Sequence, residues 1–219
     1  MSKQPIIFCD FDGTITESDN IIAIMKHFAP PEWEELKDNV LSQHISIKDG
    51  VGKMFSLLPS SSKEEITRFV QENGILRAGF EEFVVFTQKE NIPLYIVSGG
   101  IDFFIYPMLD HFIDRDHIYC NASDFSKENI QIIWPHACDE FCSNDCGCCK
   151  PSILRLFDND KYEKIVIGDS ITDLQAAKLA DRVYARDYLI EKCEELDIHY
   201  TPFADFTEII QNLNGVKAR

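Results

Sequence analysis

Pro5-Ile6-Ile7-Phe8-Cys9-Asp10-Phe11-Asp12-Gly13-Thr14 is an apolar run that breaks abruptly into two carboxylates and a glycine. A short run of this kind, without polar alternation, reads as a strand buried on both faces. Two further stretches repeat the pattern. Pro93-Leu94-Tyr95-Ile96-Val97 leads into Ser98-Gly99-Gly100, and Lys164-Ile165-Val166-Ile167 leads into Gly168-Asp169-Ser170-Ile171-Thr172-Asp173. Strands of this type belong to parallel sheets covered by helices, and such sheets bind ligands at the carboxyl ends of their strands. The expected fold is therefore α/β, a doubly wound (Rossmann-like) parallel sheet with its reactive residues at one end.

The segment between the first two runs reads as helices. Asp19 is placed to cap a helix through Phe28 that puts Ile21, Ile24, Met25 and Phe28 on one face. Pro30-Pro31 with Glu32, Glu34 and Glu35 opens a second, running to about Ser42. Ser46 opens a third carrying Ile47, Val51, Met54, Phe55 and Leu58, and Ser62-Lys63-Glu64-Glu65 spells a capping box for a fourth that stops near Asn73-Gly74. Helices inserted at this point suggest a helical cap, residues 17–74, set into a catalytic core of 1–16 and 75–219; the alternative is that they simply pack on the sheet. Downstream, helices are expected at 79–89, 102–109, 171–179, 186–194 and 204–213. Short strands are expected at 118–121, 130–133 and 182–185.

Composition narrows the class. The chain has 219 residues, 45% of them hydrophobic, enough for a globular domain with an insertion. A net charge of −16 argues against nucleic-acid or anionic-membrane partners, which require basic surface. No stretch approaches the ~20 apolar residues of a membrane-spanning helix. Met1-Ser2-Lys3-Gln4 runs straight into the first strand, so no signal peptide and a cytoplasmic location are expected.

The strand-end residues suit phosphoryl transfer. Phosphate monoesters resist hydrolysis because their anionic charge repels nucleophiles and the leaving alkoxide is poor, so a catalyst must neutralise charge, hold a nucleophile in line and supply a proton. Asp10 is placed to be that nucleophile, forming an aspartyl-phosphate, and Asp12 to be the general acid and then base. Crowding of the two carboxylates is expected to raise the pKa of Asp12. Ser98, Gly99, Lys150 and Thr14 are the candidates for holding the phosphate. Taken singly, Ser98 reads as a turn residue, Lys150 as a solvated charge, and Asp169 and Asp173 as helix caps.

Asp10-Phe11-Asp12-Gly13-Thr14, Ser98, Lys150 and Gly168-Asp169-Ser170-Ile171-Thr172-Asp173, in this order, resemble the haloacid dehalogenase superfamily of phosphatases across residues 10–173. The resemblance implies Mg²⁺ held by the Asp10 carboxylate, the Asp12 backbone carbonyl and the Asp169 carboxylate, with Asp173 behind them orienting water and Lys150. Three carboxylates facing one ammonium need that added charge before a phosphate dianion can enter. The segments Asp19-Asn20-Ile21-Ile22-Ala23-Ile24-Met25 and Phe28-Ala29-Pro30-Pro31-Glu32-Trp33, and the cysteine-rich stretch before Lys150, resemble a methionine-salvage branch that acts on an enol phosphate with a methylthio tail. A small phosphorylated metabolite is the expected partner; no oligomeric state is implied. The phosphoserine-specific branch is the alternative, since Asp19 stands where that branch keeps an acidic residue. Met25, Phe28, Trp33, Met54 and Phe55 offer apolar contacts for a thioether, or else form the insert's own core.

Five of the eight cysteines lie between Cys138 and Cys149. Cys138, Cys142, Cys146 and Cys149 fall within the usual reach of a zinc site, with His136 and Cys148 nearby, but the segment lacks two separated knuckles and has one cysteine too many. Zinc, free thiols and a disulfide formed after purification remain alternatives at this level.

Overall fold

The computed structural model describes residues 3–217. In chain order its elements are β1 (Gln4–Cys9), α1 (Asn20–Phe28), α2 (Trp33–Leu41), α3 (Ile47–Phe55), α4 (Lys63–Asn73), α5 (Phe80–Lys89), β2 (Leu94–Ile101) and α6 (Asp102–Leu109). There follow β3 (Ile118–Asp124), β4 (Gln131–Ile133), α7 (Lys150–Arg155), β5 (Tyr162–Gly168), α8 (Leu174–Ala177), β6 (Arg182–Ala185), α9 (Asp187–Glu195), β7 (Thr201–Pro202) and α10 (Phe206–Lys217). Among the described residues the sheet has the order β4-β3-β2-β1-β5-β6-β7. Every neighbouring pair is parallel except β3 with β4. β1 is central, between β2 and β5, so the three motif-bearing strands lie side by side.

Alternation along β1 shows why the sheet is wound on both faces. Ile6 and Phe8 join Val97 and Val166 against Ile153, Leu154 and Ala176, the helices after the cysteine-rich stretch and after β5. Ile7 and Cys9 point the other way, into a cluster with Ile96, Ile165 and Ile167 that takes in Phe80, Phe83, Phe104, Phe206 and Ile209. Phe206 stacks edge-on to Phe80 at 5.3 Å. Burying one such ring contributes about 2 kcal/mol, so the aromatic layer under α5 and α10 is a large share of what holds that face.

The insert enters and leaves through paired linkers. Thr16 bridges Leu76 in antiparallel fashion, Glu17 donates to the Ile75 carbonyl at 2.9 Å and Arg77 to that of Ile15 at 2.7 Å. α1 starts where expected, with Asp19 accepting from the Ile22 amide at 2.9 Å, and α3 is capped by Ser46 on Asp49 at 3.0 Å. The capping box at Ser62 does not form. Ser60–Ser62 is a 3-10 turn, so Ser62 is already helical and its amide bonds the Pro59 carbonyl. The apolar cluster is continuous from insert to sheet: Met25, Trp33, Met54 and Phe55 are buried in the same core as Ile7 and Ile96, and α4 packs on α6.

Other boundaries shift for local reasons. β2 does not stop at Val97; it runs through Ser98-Gly99-Gly100 with a register irregularity against β3. The helix expected over 171–179 is a 3-10 turn, Ile171–Asp173, followed by the short α8, because Ser170 and Asp173 cap each other reciprocally. α7 was missed altogether, although Pro151 near its start is the usual helix-opening signal. No helix among the described residues is long and apolar enough to cross a membrane.

Candidate active site

The parallel sheet delivers its reactive side chains to one end. Asp10 follows β1, Asp169 follows β5, and Lys150 stands in the first turn of α7, which packs against β2 and α8. Lys150 Nζ lies 2.7 Å from Asp10 Oδ1 and 2.6 Å from Asp173 Oδ1, and all three residues are buried. The other oxygen of Asp173 accepts from the amides of Asp169 at 3.2 Å and Ser170 at 3.1 Å. Asp173 therefore caps its own turn and grips Lys150 at once, joining the two readings the sequence offered. Gly168 makes this possible: a Cβ there would sit 2.4 Å from Asp173 Cγ.

Across the site, Thr14 is fully buried and its hydroxyl donates to Asp169 Oδ1 at 2.8 Å. The sequence placed Thr14 among the phosphate ligands; here its hydroxyl is committed to orienting Asp169. Gly13 turns the chain at φ +80°, and a Cβ on it would meet Asp169 Oδ2 at 2.4 Å, so both the backbone conformation and the close approach require glycine. Ser98 is buried and accepts the Gly100 amide at 2.9 Å. Beside it the Gly99 backbone borders open space, since a Cβ built there meets nothing within 4 Å.

Charge at the site is out of balance. Oxygens of Asp10, Asp169 and Asp173 all lie within 4.8 Å of one another, against the one ammonium of Lys150. Burial first, and then the Asp173 charge, push the Asp10 carboxyl well above its ordinary range, and the same two causes raise Asp169 to about 6. Hard carboxylate oxygens, converging and short of positive charge, are a donor set suited to a small divalent cation. Asp12 is raised to about 7. Burial is the main cause and the Asp19 carboxylate the next, so the crowding with Asp10 expected from sequence is not what lifts it. Two hydrogen bonds to Asp12 Oδ1, from the Asn20 amide at 3.0 Å and its side chain at 2.7 Å, pull the other way.

Three residues escaped the sequence reading. Asn20 holds Asp12 and also reaches Thr16 Oγ1 at 3.1 Å. Arg77 is buried and donates to the carbonyls of Thr14 at 2.7 Å, Gly13 at 2.8 Å and Thr16 at 3.1 Å, clamping the turn that carries Asp12. Asn121 donates to the Gly99 carbonyl at 2.7 Å and leaves its buried Oδ1 without a partner. Asn20 lies inside a segment the resemblance marks, but without a role attached; Arg77 and Asn121 belong to no quoted motif, and the signal available for them was only a polar residue inside an apolar linker or strand. Among the side chains offered for a thioether, Met25, Trp33, Met54 and Phe55 are buried as core, while Phe28 is half-buried against His27 and Phe69.

Comparison with known proteins agrees with this geometry. The family model described as haloacid dehalogenase-like hydrolase matches residues 7–178. A protein of Geobacillus thermodenitrificans named 2-hydroxy-3-keto-5-methylthiopentenyl-1-phosphate phosphatase is 62% identical over 217 residues, covering 99% of each chain. One of the same name from Bacillus velezensis is 52% identical over 221 residues, covering 100% of this chain and 94% of the relative. Among solved structures, a substrate-bound phosphoserine phosphatase complex superposes with a TM-score of 0.70 at 17% identity, covering 97% of this chain and 99% of the other; at that identity the likeness is one of fold.

Proposed function

The chain belongs to the haloacid dehalogenase-like hydrolases, and from that premise we propose how it acts as a phosphatase on 2-hydroxy-3-keto-5-methylthiopentenyl-1-phosphate, yielding 1,2-dihydroxy-3-keto-5-methylthiopentene and phosphate in methionine salvage. The observation that carries the substrate is near-identity of length and more than half identity of sequence with relatives bearing that name. Those matches run over the insert as well as the sheet.

Asp10 is the nucleophile. Its carboxylate oxygen attacks phosphorus, the bond from phosphorus to the enol oxygen breaks, and the departing oxygen takes the proton of Asp12. Asp12, now ionised, accepts a proton from water as that water attacks the aspartyl-phosphate, which frees phosphate and restores Asp10. A pKa near 7 suits a group that must give and then take a proton around neutrality. Lys150 is held in place by Asp173 and offers its ammonium to the phosphate oxygens alongside Ser98 and the Gly99 backbone.

Mg²⁺ is the proposed cofactor, held by the carboxylates of Asp10 and Asp169 and the Asp12 carbonyl, with Asp173 behind them. When bound it supplies positive charge against the phosphate. Thr14 orients Asp169 through the bond described above, and Gly13 and Arg77 fix the turn between them. Residues 17–74 serve as a cap that selects substrate, with residues 15–17 and 75–77 as its paired stalk. Asp19 caps α1 through one carboxylate oxygen, and its charge also helps raise the Asp12 carboxyl.

The test is a phosphate-release screen with Mg²⁺ that includes the methylthiopentenyl enol phosphate and phosphoserine. A kcat/KM at least tenfold higher on the enol phosphate is expected. A preference for phosphoserine would overturn the substrate while leaving the chemistry, and no release from any monoester would overturn both.

A further inference from the structure

Residues 134–149, between β4 and α7, contain no helix or strand, and their few apolar side chains include Phe141, which is exposed. Segments of this length without secondary structure are uncommon in a compact fold unless something else ties them together. Here the sulfurs of Cys138, Cys142, Cys146 and Cys149 all lie within 4.8 Å of one another, and those of Cys142 and Cys146 are 3.9 Å apart. Four sulfurs tetrahedrally placed at about 2.3 Å from a Zn²⁺ ion would stand about 3.8 Å from each other. Two disulfides would draw the four into separate couples, whereas these converge on one point.

The extra cysteine counted in the sequence is accounted for by its place in the structure. The surplus cysteine, Cys148, is buried and turned from the cluster, its thiol donating to the Tyr119 carbonyl at 3.7 Å. His136 is also outside it: its ring stands edge-on to Tyr119 at 5.1 Å and its carbonyl accepts the Cys149 amide at 2.8 Å. Two hydrogen bonds reach the sulfurs from neighbouring groups. The Cys146 amide donates to Cys138 Sγ at 3.4 Å and the Ser152 hydroxyl to Cys149 Sγ at 2.9 Å. Ser152 also accepts the Asp139 amide at 3.0 Å, and Arg155 grips Asp139 through two bonds of 2.6 Å. Metal thiolates are supported by such outer hydrogen bonds, which fix the ligands and offset their charge.

We propose that Cys138, Cys142, Cys146 and Cys149 form a structural Zn²⁺ site that folds the 134–149 segment. Binding exchanges four thiol protons for one cation, giving a tetrathiolate and releasing the protons to solvent. The segment so closed meets the rest of the molecule on two sides. Its last ligand immediately precedes Lys150, and Asp145 within it accepts from Ser46 at 2.6 Å and pairs with Lys48 at 3.2 Å at the start of α3. Neither this site nor its ligands overlap the oxygen donors at the strand ends, so the two metals are chemically distinct: a soft tetrathiolate for zinc, hard oxygens for magnesium.

The experiment is elemental analysis of the full chain purified without chelator from a zinc-replete culture, run on the wild type, Cys142→Ser and Cys148→Ser. About one zinc per chain is expected in the wild type and in Cys148→Ser, falling at least about fivefold in Cys142→Ser. Cobalt substitution of the wild type should give the intense thiolate-to-metal absorption of a tetrahedral site, a readout that stands even if Cys142→Ser fails to fold. Zinc-free protein in which the thiols of 138–149 all react with a thiol reagent would overturn the proposal. So would intact-mass evidence that these cysteines are oxidised in pairs as isolated, or equal loss of zinc from Cys148→Ser.

Discussion

The carboxylates at the strand ends and the cysteines before Lys150 gather reactive groups by opposite means. Asp10, Asp169 and Asp173 come from opposite ends of the chain and are brought within 4.8 Å by two neighbouring parallel strands. The cysteines come from one short stretch that no strand or helix organises. In the first region the backbone is fixed by the sheet, and the side chains are left in an electrostatic conflict that burial makes severe. In the second the backbone has no strand or helix of its own and is held by side-chain bonds such as Asp139 with Arg155 and Asp145 with Ser46, together with the convergence of the sulfurs. The sheet carries that conflict on a backbone held by its strand pairing, whereas the loop has no strand pairing of its own.

The sharpest way to break this contrast is Asp10→Asn. If the sheet alone carries the fold, turnover should fall by on the order of 10⁴-fold while thermal unfolding moves little, since Lys150 keeps Asp173. Phosphate release and a melt on the same preparation check both halves. Activity within tenfold of wild type from a folded variant would end the nucleophile assignment.

Chelation would probe the two proposed metals separately. Brief EDTA treatment should abolish phosphatase activity, and added Mg²⁺ should restore it, while the zinc content measured on the same sample stays constant. Loss of zinc in step with activity would mean that the two clusters are not independent.

Lys150→Met tests how much conflict the sheet tolerates. Two buried carboxylates then lose their cation, at a cost of about 3–5 kcal/mol in metal-free protein at neutral pH. The sign with pH is fixed by the raised carboxyl of Asp10. A group whose folded pKa lies above its unfolded value binds more protons in the folded state, so the variant's deficit should shrink as pH falls from about 8 to 5. Urea unfolding across that range measures it; a deficit that grows on acidification would contradict the charge argument.

These regions also differ in how they could be read. The strand ends were legible because a fully buried parallel strand has a plain signature, and its motif residues must follow at fixed offsets; β1, β2 and β5 and their attached groups lay where the apolar runs placed them. Helices with a real cap, such as α1 on Asp19, were equally visible. What escaped were partners defined only in three dimensions. Arg77 reaches back to Gly13, Thr14 and Thr16, and Asn121 to Gly99, from elements with no motif of their own. The motif marks Thr14, but sequence cannot show that its hydroxyl donates to Asp169. Of the two readings open for the apolar side chains of the insert, helical spacing alone cannot separate a face turned to the core from one turned to a ligand; Met25, Trp33, Met54 and Phe55 are buried in the core.

The smallest effect should come from Asn20, whose side chain steadies the ionised form of Asp12 from 2.7 Å. In the proposed mechanism Asp12 acts as general acid in its protonated form, so with its carboxyl at about 7 turnover is expected to decline as pH rises through neutrality. Asn20→Ala removes one donor to the carboxylate and leaves the backbone amide bond in place. The ionised form then loses support, the pKa rises, and the alkaline limb of the kcat profile moves upward by roughly half a unit to one unit. Turnover at pH 8 should fall less steeply relative to pH 6 than in the wild type, even if the maximum is lower. A structural role alone would depress the whole profile without moving its limb. A downward shift would mean that Asn20 acts on the protonated form, and that the proton for the leaving oxygen comes from elsewhere.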